Sequence, residues 1–442
     1  MAEPAISSFD VLVIGGGAAG VAAAAELASA GLSVALAEQR PTLGGAYHRQ
    51  PVGGSARQLR GQRQWLRLLR GLAGAGVEQR LGHVFIGLES DGIAMLDDRA
   101  ARRIRSIKAR ALVIAVGAIE RVLPRPGWQL DGVMTSGGLQ MLLKETGGVP
   151  PGDLLIAGSG PLNVAVAADL IRLGRPPVAV IENGNPFARP GAALRLAAHP
   201  GLVAEAARHL ARLASARVPW LRGSALAAIE RRDGRLRATV RMPGGGSRMF
   251  AADIVALHDG IRPNAFGLPA ETQAQPIVVR AGDCREALGI RAAVADGRHA
   301  ARQVAAMLAG TVRDGSADRK IGRQRRAQAI LHELFRPVDG YGLAALPDDT
   351  ILCRCEGRTV GDLRLMLAET DAPGLREIKL NGRFGMGLCQ GRFCADAVRD
   401  MVAAARPAVD GGASGPLSRD RWPLRPASIA ALAADDELQE GK

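Results

Sequence analysis

Short apolar runs alternate with stretches of helical period along most of this chain. Residues 10–39 begin with the apolar run DVLVI, continue through a glycine-rich turn into an alanine-rich stretch, and reach a second apolar run, SVALAE. Residues 153–183 repeat this order, and residues 276–308 place an apolar run before a long helical stretch. Strands that alternate with helices predict βαβ units and a parallel sheet. The pattern therefore predicts an α/β fold.

The glycine-rich turn at residues 15–20, the first glycine turn, has the spacing of a dinucleotide-binding site. Gly15, Gly17 and Gly20 follow the first strand and open the helix, and Glu38 ends the next strand. In that context the first glycine makes a tight turn, the second admits a pyrophosphate, and the third lets the helix pack against the strand. Free N–H groups at the helix N-terminus favour the anion. We therefore predict a dinucleotide here, with Glu38 accepting hydrogen bonds from a ribose.

Two further stretches predict which dinucleotide binds. The run AVGA brings Gly117 to another backbone turn, and the run VRAGDCREALG places Gly282 and Asp283 where a strand meets the start of a helix. Asp283 can there contact the ribityl or phosphate part of a flavin. Together with the first glycine turn, these stretches resemble the FAD domain of the glutathione-reductase-like flavoproteins, which have two dinucleotide-binding domains. The resemblance implies FAD, with Gln39 and Gly45 also lining its site.

The turn at residues 158–163, the second glycine turn, departs from the motif. Gly158 and Gly160 are present, but Asn163 stands where the third glycine is expected. A side chain there moves the helix away from the strand, and Pro161 removes one N–H donor. Glu182 ends the next strand and can hold a ribose. Two interpretations remain open: a nucleotide such as NAD or ATP binds here, or the fold is kept with a weakened or repurposed site.

Four of the five cysteines lie close together, in the spacing C-x-C-x33-C-x4-C; they are Cys353, Cys355, Cys389 and Cys394. Thiolates are soft ligands, and four of them suit an iron–sulfur cluster or a closed zinc site. Zinc ribbons use C-x2–4-C pairs, so the opening C-x-C argues against zinc. Residues 38–50, beside the expected flavin, contain no cysteine. That argues against a dithiol reductase.

The cysteine-rich stretch resembles the [2Fe–2S] domain of the bacterioferritin-associated-ferredoxin-like family. The match consists of the C-x-C opening and the run GMGLCQGRFC at residues 385–394, which precedes a helical stretch. Its four-residue gap differs from the two-residue gap of the small ferredoxin and is similar to the variant in larger flavoprotein subunits. The resemblance implies that the four cysteines bind a [2Fe–2S] cluster.

The net charge of +14 is carried mainly by arginine, and aromatic residues make up only 3% of the chain. Nucleic-acid binding surfaces interleave base-stacking aromatic residues with basic ones, so we expect no nucleic acid partner. An apolar, strand-like run begins at Phe9, which leaves no room for a signal peptide, and no uncharged apolar run is long enough to span a membrane. Cysteine use fits a reducing compartment. We expect a cytoplasmic protein.

Four stretches carry a resemblance along most of the chain; they are GGAYHRQ (44–50), VGAIERVLPRPGWQLDGVMTSGGLQMLLK (116–144), HDGIRPN (258–264) and GMGLCQGRFC (385–394). The chain is similar to the large flavoprotein subunits of heteromeric amino-acid and opine oxidases and dehydrogenases. That family includes subunits of octopine and nopaline oxidase, hydrogen cyanide synthase and D-hydroxyproline dehydrogenase.

The family resemblance implies an electron-transfer subunit of an enzyme that acts on CH–NH donors. A partner (β) subunit of the D-amino-acid-oxidase type, with its own FAD, carries the substrate site, so no catalytic residue is assigned in this chain. Electrons from the partner pass to FAD and [2Fe–2S] here. The resemblance also allows FMN at the subunit boundary, a small third subunit, and association with the inner face of the cytoplasmic membrane through the partners.

The resemblances imply a domain organisation. The domains are a discontinuous FAD-binding domain at 1–120 and 270–335, a second nucleotide-binding-like domain at 121–269, a small helical [2Fe–2S] domain at 350–405, and an extended tail at 406–442. An alternative function stays open: a stand-alone NAD(P)H-dependent flavin and iron–sulfur reductase in which residues 153–183 bind nicotinamide. Asn163 counts against it.

Overall fold

A computed structural model describes residues 6–51, 62–311, 319–338, 342–369, 374–405, 417 and 423–436. The chain forms two compact units. The first unit comprises Met1–Ile119, Ile261–Arg326 and Asp420–Lys442, and the second comprises Glu120–Gly260 and Ala327–Arg419. The predicted 350–405 segment belongs to the second unit by its contacts, and the predicted domain boundaries stay predictions.

Strands and helices alternate in much of the chain. The strands are β1 (Ser7–Ile14), β2 (Val34–Glu38), β3 (Glu78–Leu81), β4 (His83–Leu88), β5 (Ile93–Asp98), β6 (Arg103–Ile114), β7 (Ala118–Glu120), β8 (Val133–Thr135), β9 (Leu154–Gly158), β10 (Ala179–Glu182), β11 (Trp220–Arg222), β12 (Ala225–Arg232), β13 (Arg235–Arg241), β14 (Ser247–Ala252), β15 (Ile254–His258), β16 (Ile261–Pro263), β17 (Ile277–Arg280), β18 (Ile351–Cys353) and β19 (Arg358–Thr359). The helices are α1 (Ala18–Ser29), α2 (Gln62–Ala73), α3 (Ser136–Thr146), α4 (Pro161–Arg172), α5 (Pro190–Leu196), α6 (Pro200–Ser215), α7 (Ile290–Leu308), α8 (Arg319–Leu334), α9 (Val360–Glu369), α10 (Leu375–Gly382), α11 (Ala395–Ala405) and α12 (Ile429–Asp436).

The sheet of the first unit has the order β3-β2-β1-β6-β5-β4, and β17 also pairs with β6. The pairs among β3, β2, β1, β6 and β17 are parallel, whereas β4, β5 and β6 pair antiparallel. Val11 and Val13 of β1 face α1 and α7, and Leu12 and Ile14 face the opposite core. Because both faces are buried, β1 is apolar at consecutive positions rather than alternate ones.

The second unit has a parallel sheet of order β11-β10-β9-β15-β8. Helices α3, α4 and α6 pack on one face, and the antiparallel sheet β12-β13-β14 packs on the other. The carboxyl ends of β9, β10 and β15 meet at one edge, so Gly158, Glu182 and His258 lie close together. In open α/β sheets this edge is where ligands bind.

The cysteine-rich segment packs against the sheets of the second unit through Trp128, whose side chain is fully buried. The indole N–H of Trp128 donates to the carbonyl of Ile351 at 2.6 Å, and the guanidinium of Arg354 lies 5.2 Å from the centre of its ring. Phe393 packs against the core between the two sheets. These contacts fix both ends of the cysteine-rich segment to the second unit.

The predicted tail, 406–442, lies largely outside the described residues. Where it is described, Leu424 donates its N–H to the carbonyl of Ile86 at 2.8 Å, and α12 follows. Ser428 caps α12 by accepting the N–H of Ala431 at 3.1 Å, and Ala431 is buried beside Ile86. Among the helices of the described residues, none is long and apolar enough to cross a bilayer.

Candidate functional site

The first glycine turn leaves no room for side chains at two positions. A methyl group on Gly20 would lie 1.9 Å from the carbonyl oxygen of Gly15, and one on Gly15, at φ +108°, would lie 2.5 Å from the carbonyl oxygen of Ala115. Gly17 precedes α1 and gives it no side-chain cap. The N-terminus of α1 therefore keeps N–H groups for a bound anion, as the predicted pyrophosphate site requires.

Glu38 is buried at the end of β2. Its carboxylate accepts the N–H groups of Gly16 at 2.7 Å and Arg40 at 3.0 Å. Burial raises the pKa of Glu38, against those hydrogen bonds and the nearby charges of Arg40 and Arg49. The structure thus holds this carboxylate beside the first glycine turn, where we predict a ribose contact.

The loop that follows β2 returns to the first glycine turn. Gly44 donates its N–H to the carbonyl of Gly16 at 2.8 Å, and a methyl group on Gly45 would lie 3.0 Å from the Cα of Gly17. Gln39, in contrast, is exposed. Gly45 is therefore close to the predicted cofactor site, and the cofactor contact of Gln39 stays a prediction.

Gly117 and Gly282 lie at the other turns of the predicted FAD site. Gly117, at φ +74°, would meet no atom within 4 Å if it carried a methyl group. Gly282, at φ +68°, packs so closely on α1 that a methyl group would lie 2.7 Å from the Cβ of Ala19. The site therefore has an open face at Gly117 and a close-packed backbone at Gly282.

Asp283 is partly buried, and its carboxylate accepts the N–H groups of Leu288 at 3.0 Å and Gly289 at 2.7 Å. Burial raises its pKa. In this position Asp283 fixes the loop that leads into α7, and its contact with a flavin stays a prediction. Sequence reasoning missed Asp296 of α7, which accepts the N–H of Gly282 at 2.6 Å. The sequence feature that could have indicated this contact is an acidic residue within an alanine-rich helical stretch.

At the first position of the second glycine turn, as at the first position of the first turn, there is no room for a side chain. A methyl group on Gly158 would lie 1.8 Å from the carbonyl oxygen of His258, and one on Gly160 would lie 3.4 Å from the His258 ring. Asn163 is fully buried, and its side-chain oxygen accepts the Ser136 hydroxyl at 3.0 Å. The asparagine at the third position is thus part of a buried hydrogen bond with α3.

Glu182 is completely buried at the end of β10. Its carboxylate accepts the N–H groups of Gly184 at 3.0 Å and Gly160 at 3.2 Å. Burial raises its pKa to about 8. The carboxylate that we predict to hold a ribose therefore accepts hydrogen bonds from the backbone of neighbouring glycines.

Residues 335–338, which we call the covering segment, lie over the second glycine turn. The Ser159 hydroxyl donates to the carbonyl of Phe335 at 2.6 Å, and a methyl group on Gly184 would lie 2.7 Å from the same oxygen. Pro337 forms a bridge with Gly184, and Val338 donates its N–H to the carbonyl of Asn183 at 3.2 Å. Nothing in the sequence pattern predicted this cover.

A buried acid–base pair lies beside the second glycine turn. Nδ1 of His258 is 2.6 Å from Oε1 of Glu120. The Glu120 carboxylate also accepts the N–H of Gly137, in the first turn of α3, at 2.9 Å. Both residues belong to the stretches that carry the family resemblance, but sequence reasoning gave them no role. Their contacts join β15 to the start of the second unit.

The four cysteines form two pairs. The thiol of Cys353 lies close enough to that of Cys394, and the thiol of Cys355 to that of Cys389, for the members of each pair to shift each other's pKa. A methyl group on Gly387 would lie 2.3 Å from the Cβ of Cys355, so the loop before Cys389 packs closely on Cys355. Folding therefore brings together cysteines that are far apart in sequence.

Backbone N–H groups near the Cys353 sulfur favour its thiolate. The Cys394 thiol and the N–H groups of Gly385, Glu356 and Cys355 lower the pKa of Cys353 to about 6. The same pairing and burial raise the pKa of Cys394. Such donors stabilise a thiolate ligand. No three His, Cys, Asp or Glu side chains of the described ranges are arranged to hold a metal ion together, and the four cysteines stay predicted ligands.

Comparison with known proteins identifies the family. Residues 9–282 match the family of pyridine nucleotide-disulphide oxidoreductases, and the chain belongs to it. Membership implies that the chain binds FAD, in agreement with the open first glycine turn. The α/β, glutathione-reductase-like fold class predicted from the sequence is confirmed.

Curated relatives match nearly the whole chain. It is 32% identical to the opine oxidase A subunit of Agrobacterium tumefaciens (strain Ach5), over 96% of this chain and 91% of that protein. It is 29% identical to the HcnB subunit of hydrogen cyanide synthase of Pseudomonas aeruginosa, over 95% and 97%. The predicted resemblance to such subunits is confirmed. The L-proline dehydrogenase from P. horikoshii, 16% identical over 97% of this chain and 81% of that one, shares the fold with a TM-score of 0.63.

Proposed function

We propose that this chain is the electron-transfer subunit of a heteromeric dehydrogenase or oxidase that acts on an amino acid, an opine or another secondary amine. It takes electrons from a partner subunit of the D-amino-acid-oxidase type, which holds the substrate site. FAD in the first unit and a [2Fe–2S] cluster at the four cysteines are its carriers. The observation that carries the proposal is the presence, in one chain, of an FAD-family turn and four cysteines that folding brings into two neighbouring pairs.

The residues of the first unit suit FAD. Gly15, Gly17 and Gly20 present backbone rather than side chains, and the uncapped start of α1 can hold a diphosphate. Glu38 can accept ribose hydroxyls in addition to the N–H of Gly16. FAD bound there supplies an acceptor for electron pairs that can release them singly.

The four cysteines suit a cluster ligated by four thiolates. The pairs Cys353–Cys394 and Cys355–Cys389 would each supply the two cysteines that one iron of a [2Fe–2S] cluster takes. N–H groups directed at Cys353 lower the cost of a buried negative charge and so tune the potential. A cluster bound there supplies one-electron transfer.

The need for a partner is supported by the relatives, since both are named as subunits. The chain's charge of +14 favours an acidic partner face. FMN at the boundary with the partner remains part of the proposal. The thiol-rich ligand set fits a reducing compartment, and so we place the chain in the cytoplasm.

The test is purification of the chain without oxygen, alone and with its co-purifying partner. We expect the isolated chain to contain FAD, iron and sulfide, to give the paramagnetic signal of a reduced [2Fe–2S] cluster, and to leave amines unoxidised. Addition of the partner and substrate should reduce both carriers. Amine oxidation by the isolated chain would refute its role as one subunit of a larger enzyme, and flavin extraction distinguishes FAD alone from FAD with FMN.

Two variants with the same substitution test the ligand assignment. Cys394→Ala should lose iron and sulfide and keep FAD, because Cys394 belongs to the second unit and the first glycine turn to the first. Cys284→Ala is the matched control, since Cys284 is a buried core cysteine of the first unit. Retention of full iron content by Cys394→Ala, or zinc in place of iron in the wild-type protein, would contradict the cluster.

A further inference from the structure

The second glycine turn has the secondary structure of a nucleotide site, but its surface differs from that of the first glycine turn. In βαβ nucleotide sites, the pyrophosphate lies over the glycine turn and the ribose beside the acidic residue that ends the second strand. The corresponding residues here are Gly158, Gly160 and Glu182. The place between the glycine turn and the end of β10 is where a nucleotide has to enter.

The backbone of Phe335 occupies that place. Its carbonyl oxygen accepts the hydroxyl of Ser159, in the middle of the turn, at 2.6 Å. The same oxygen lies 2.7 Å from where a methyl group on Gly184 would be, two residues after Glu182. One peptide group thus contacts both the turn and the chain just after β10, so a ribose could enter between them only if the covering segment moved.

Further hydrogen bonds hold the covering segment in place. Val338 donates to the carbonyl of Asn183 at 3.2 Å, and Arg189 donates to the carbonyl of Arg336 at 3.1 Å. The bridge between Pro337 and Gly184 lies between them. The covering segment is therefore bound along its length, as an added strand would be.

The second glycine turn offers a nucleotide fewer free donors than the first, since Pro161 has no N–H to donate. Glu182 accepts two backbone N–H groups, as Glu38 does in the first unit, so its hydrogen bonds alone do not distinguish the two turns. The side-chain oxygen of Asn163 accepts the Ser136 hydroxyl, and its amide nitrogen is buried without a partner. The bonds that a nucleotide would have to displace are those of the covering segment, and buried polar groups left without partners are costly.

A neighbouring cavity of about 680 Å³ does not reach the second glycine turn. Its lining residues are Asn185, Ala188, Arg189, Gly191, Ala192, Arg195, Glu333, Arg336 and Val338. Gly158, Gly160 and Glu182 are absent from this lining. Arg336 and Val338 of the covering segment line this cavity, whereas the residues of the glycine turn do not.

We propose that residues 335–338 are an internal ligand of the second nucleotide fold, which for this reason takes neither NAD(H), NADP(H) nor ATP. The fold is kept as the support of the cysteine-rich segment, and the covering segment is part of the connection from α8 to that segment. The inference does not depend on the proposed partner or cluster. It deprives the stand-alone reductase of the nicotinamide site at residues 153–183 on which that alternative depends.

The first experiment measures binding to the intact, FAD-loaded chain. NADH, NADPH and ATP are each dialysed against the protein at concentrations up to about 1 mM, at which even weak specific sites fill. We expect no saturable binding and no bleaching of the flavin by NADH or NADPH. Saturable binding of any of the three, lost on Gly160→Trp, would overturn the proposal.

The second experiment measures hydrogen exchange of the covering segment. The wild-type amides of Phe335, Arg336 and Val338 should exchange slowly, because each donates a hydrogen bond within the chain. Gly184→Ala should speed the exchange of Val338 about ten-fold or more, because its methyl group overpacks the Phe335 carbonyl. Gly246→Ala is the matched control, since a methyl group there meets no atom within 4 Å. Exchange as fast as in an exposed loop in the wild-type protein, or an equal change in both variants, would refute the cover.

Discussion

The first and second glycine turns occupy corresponding places in two parallel sheets and face different surroundings. Beside the first turn, Gly117 faces open space, and the loop carrying Gly45 contacts the turn through a hydrogen bond from Gly44 to Gly16. At the second, the peptide of Phe335 joins Ser159 to the end of β10. The same backbone geometry is therefore a binding surface in one unit and a packing surface in the other.

The third position of each turn shows how such a difference is built. A methyl group on Gly20 would lie 1.9 Å from the Gly15 carbonyl oxygen, so α1 packs directly against the turn. At the corresponding position Asn163 carries a whole side chain, and α4 accommodates it by a hydrogen bond to Ser136. Glycine is needed at the third position only where the backbones of the helix and the turn are in contact. That contact is found at the first glycine turn and not at the second.

The largest expected effect comes from giving the first turn the residue of the second. Gly20→Asn places a side chain against the Gly15 carbonyl and moves α1 away from the pyrophosphate position. We expect the purified protein to lose FAD, with affinity reduced about 100-fold or more, since overpacking costs about 1–3 kcal/mol and the anion contact is lost as well. Flavin absorbance per chain measures it. The matched variant Asn163→Gly should keep its full flavin content, and an equal loss in both would remove the distinction between the turns.

A second prediction separates a steric requirement from a binding one. Gly158→Ala sets a methyl group 1.8 Å from the His258 carbonyl oxygen, and we expect it to lower the free energy of unfolding by about 1–3 kcal/mol without loss of FAD. Gly174→Ala is the control, because Gly174 also has a positive φ but meets no atom within 4 Å. Denaturant unfolding followed by circular dichroism measures both. A stable Gly158→Ala protein would show that the second turn is not close-packed.

The buried carboxylate of the second unit should make stability depend on pH. Glu182 has a pKa of about 8 in the folded chain and 4.5 as its ordinary value, so the folded state holds the proton more tightly. The stabilisation that Glu182 contributes by holding this proton is complete below about pH 4.5. It is lost as the pH rises towards 8, at a rate of at most about 1.4 kcal/mol per pH unit. Glu182→Gln cannot ionise and should remove this slope. Unfolding at pH 5, 6, 7 and 8 tests it, and parallel curves for the two proteins would contradict the raised pKa.

The sequence predicted the parts of this molecule that local pattern determines. Residues 10–39 and 153–183 form the expected strand–helix–strand units, because apolar runs, a glycine turn and helical periodicity lie within some thirty residues of each other. The positions of Gly15, Gly20 and Gly158 follow from the same local geometry.

Contacts between distant parts of the chain carried no such signal. Ser159 and Phe335 are 176 positions apart, and neither stands in a pattern that points to the other. The pair Glu120–His258 and the N–H contact of Asp296 with Gly282 likewise depend on tertiary packing. From the sequence alone, the second turn could be either a nucleotide site or a fold kept without a nucleotide. The covering segment decides between these interpretations, and its position is set by the connection to the cysteine-rich segment.

The smallest expected effect concerns the hydrogen bond that ties the covering segment to the turn. Ser159→Ala removes the hydroxyl that donates to the Phe335 carbonyl, and a hydrogen bond of this kind contributes about 0.5–1.5 kcal/mol. The bridge at Gly184 and the N–H of Val338 remain, so the segment should stay in place and only exchange its amides a few-fold faster. FAD content, iron content and the lack of NADH binding should not change. If Ser159→Ala instead bound NADH with the flavin reduced, one hydrogen bond would be all that separates a closed second turn from an open one, and the cover would be a gate rather than a fixed part of the fold.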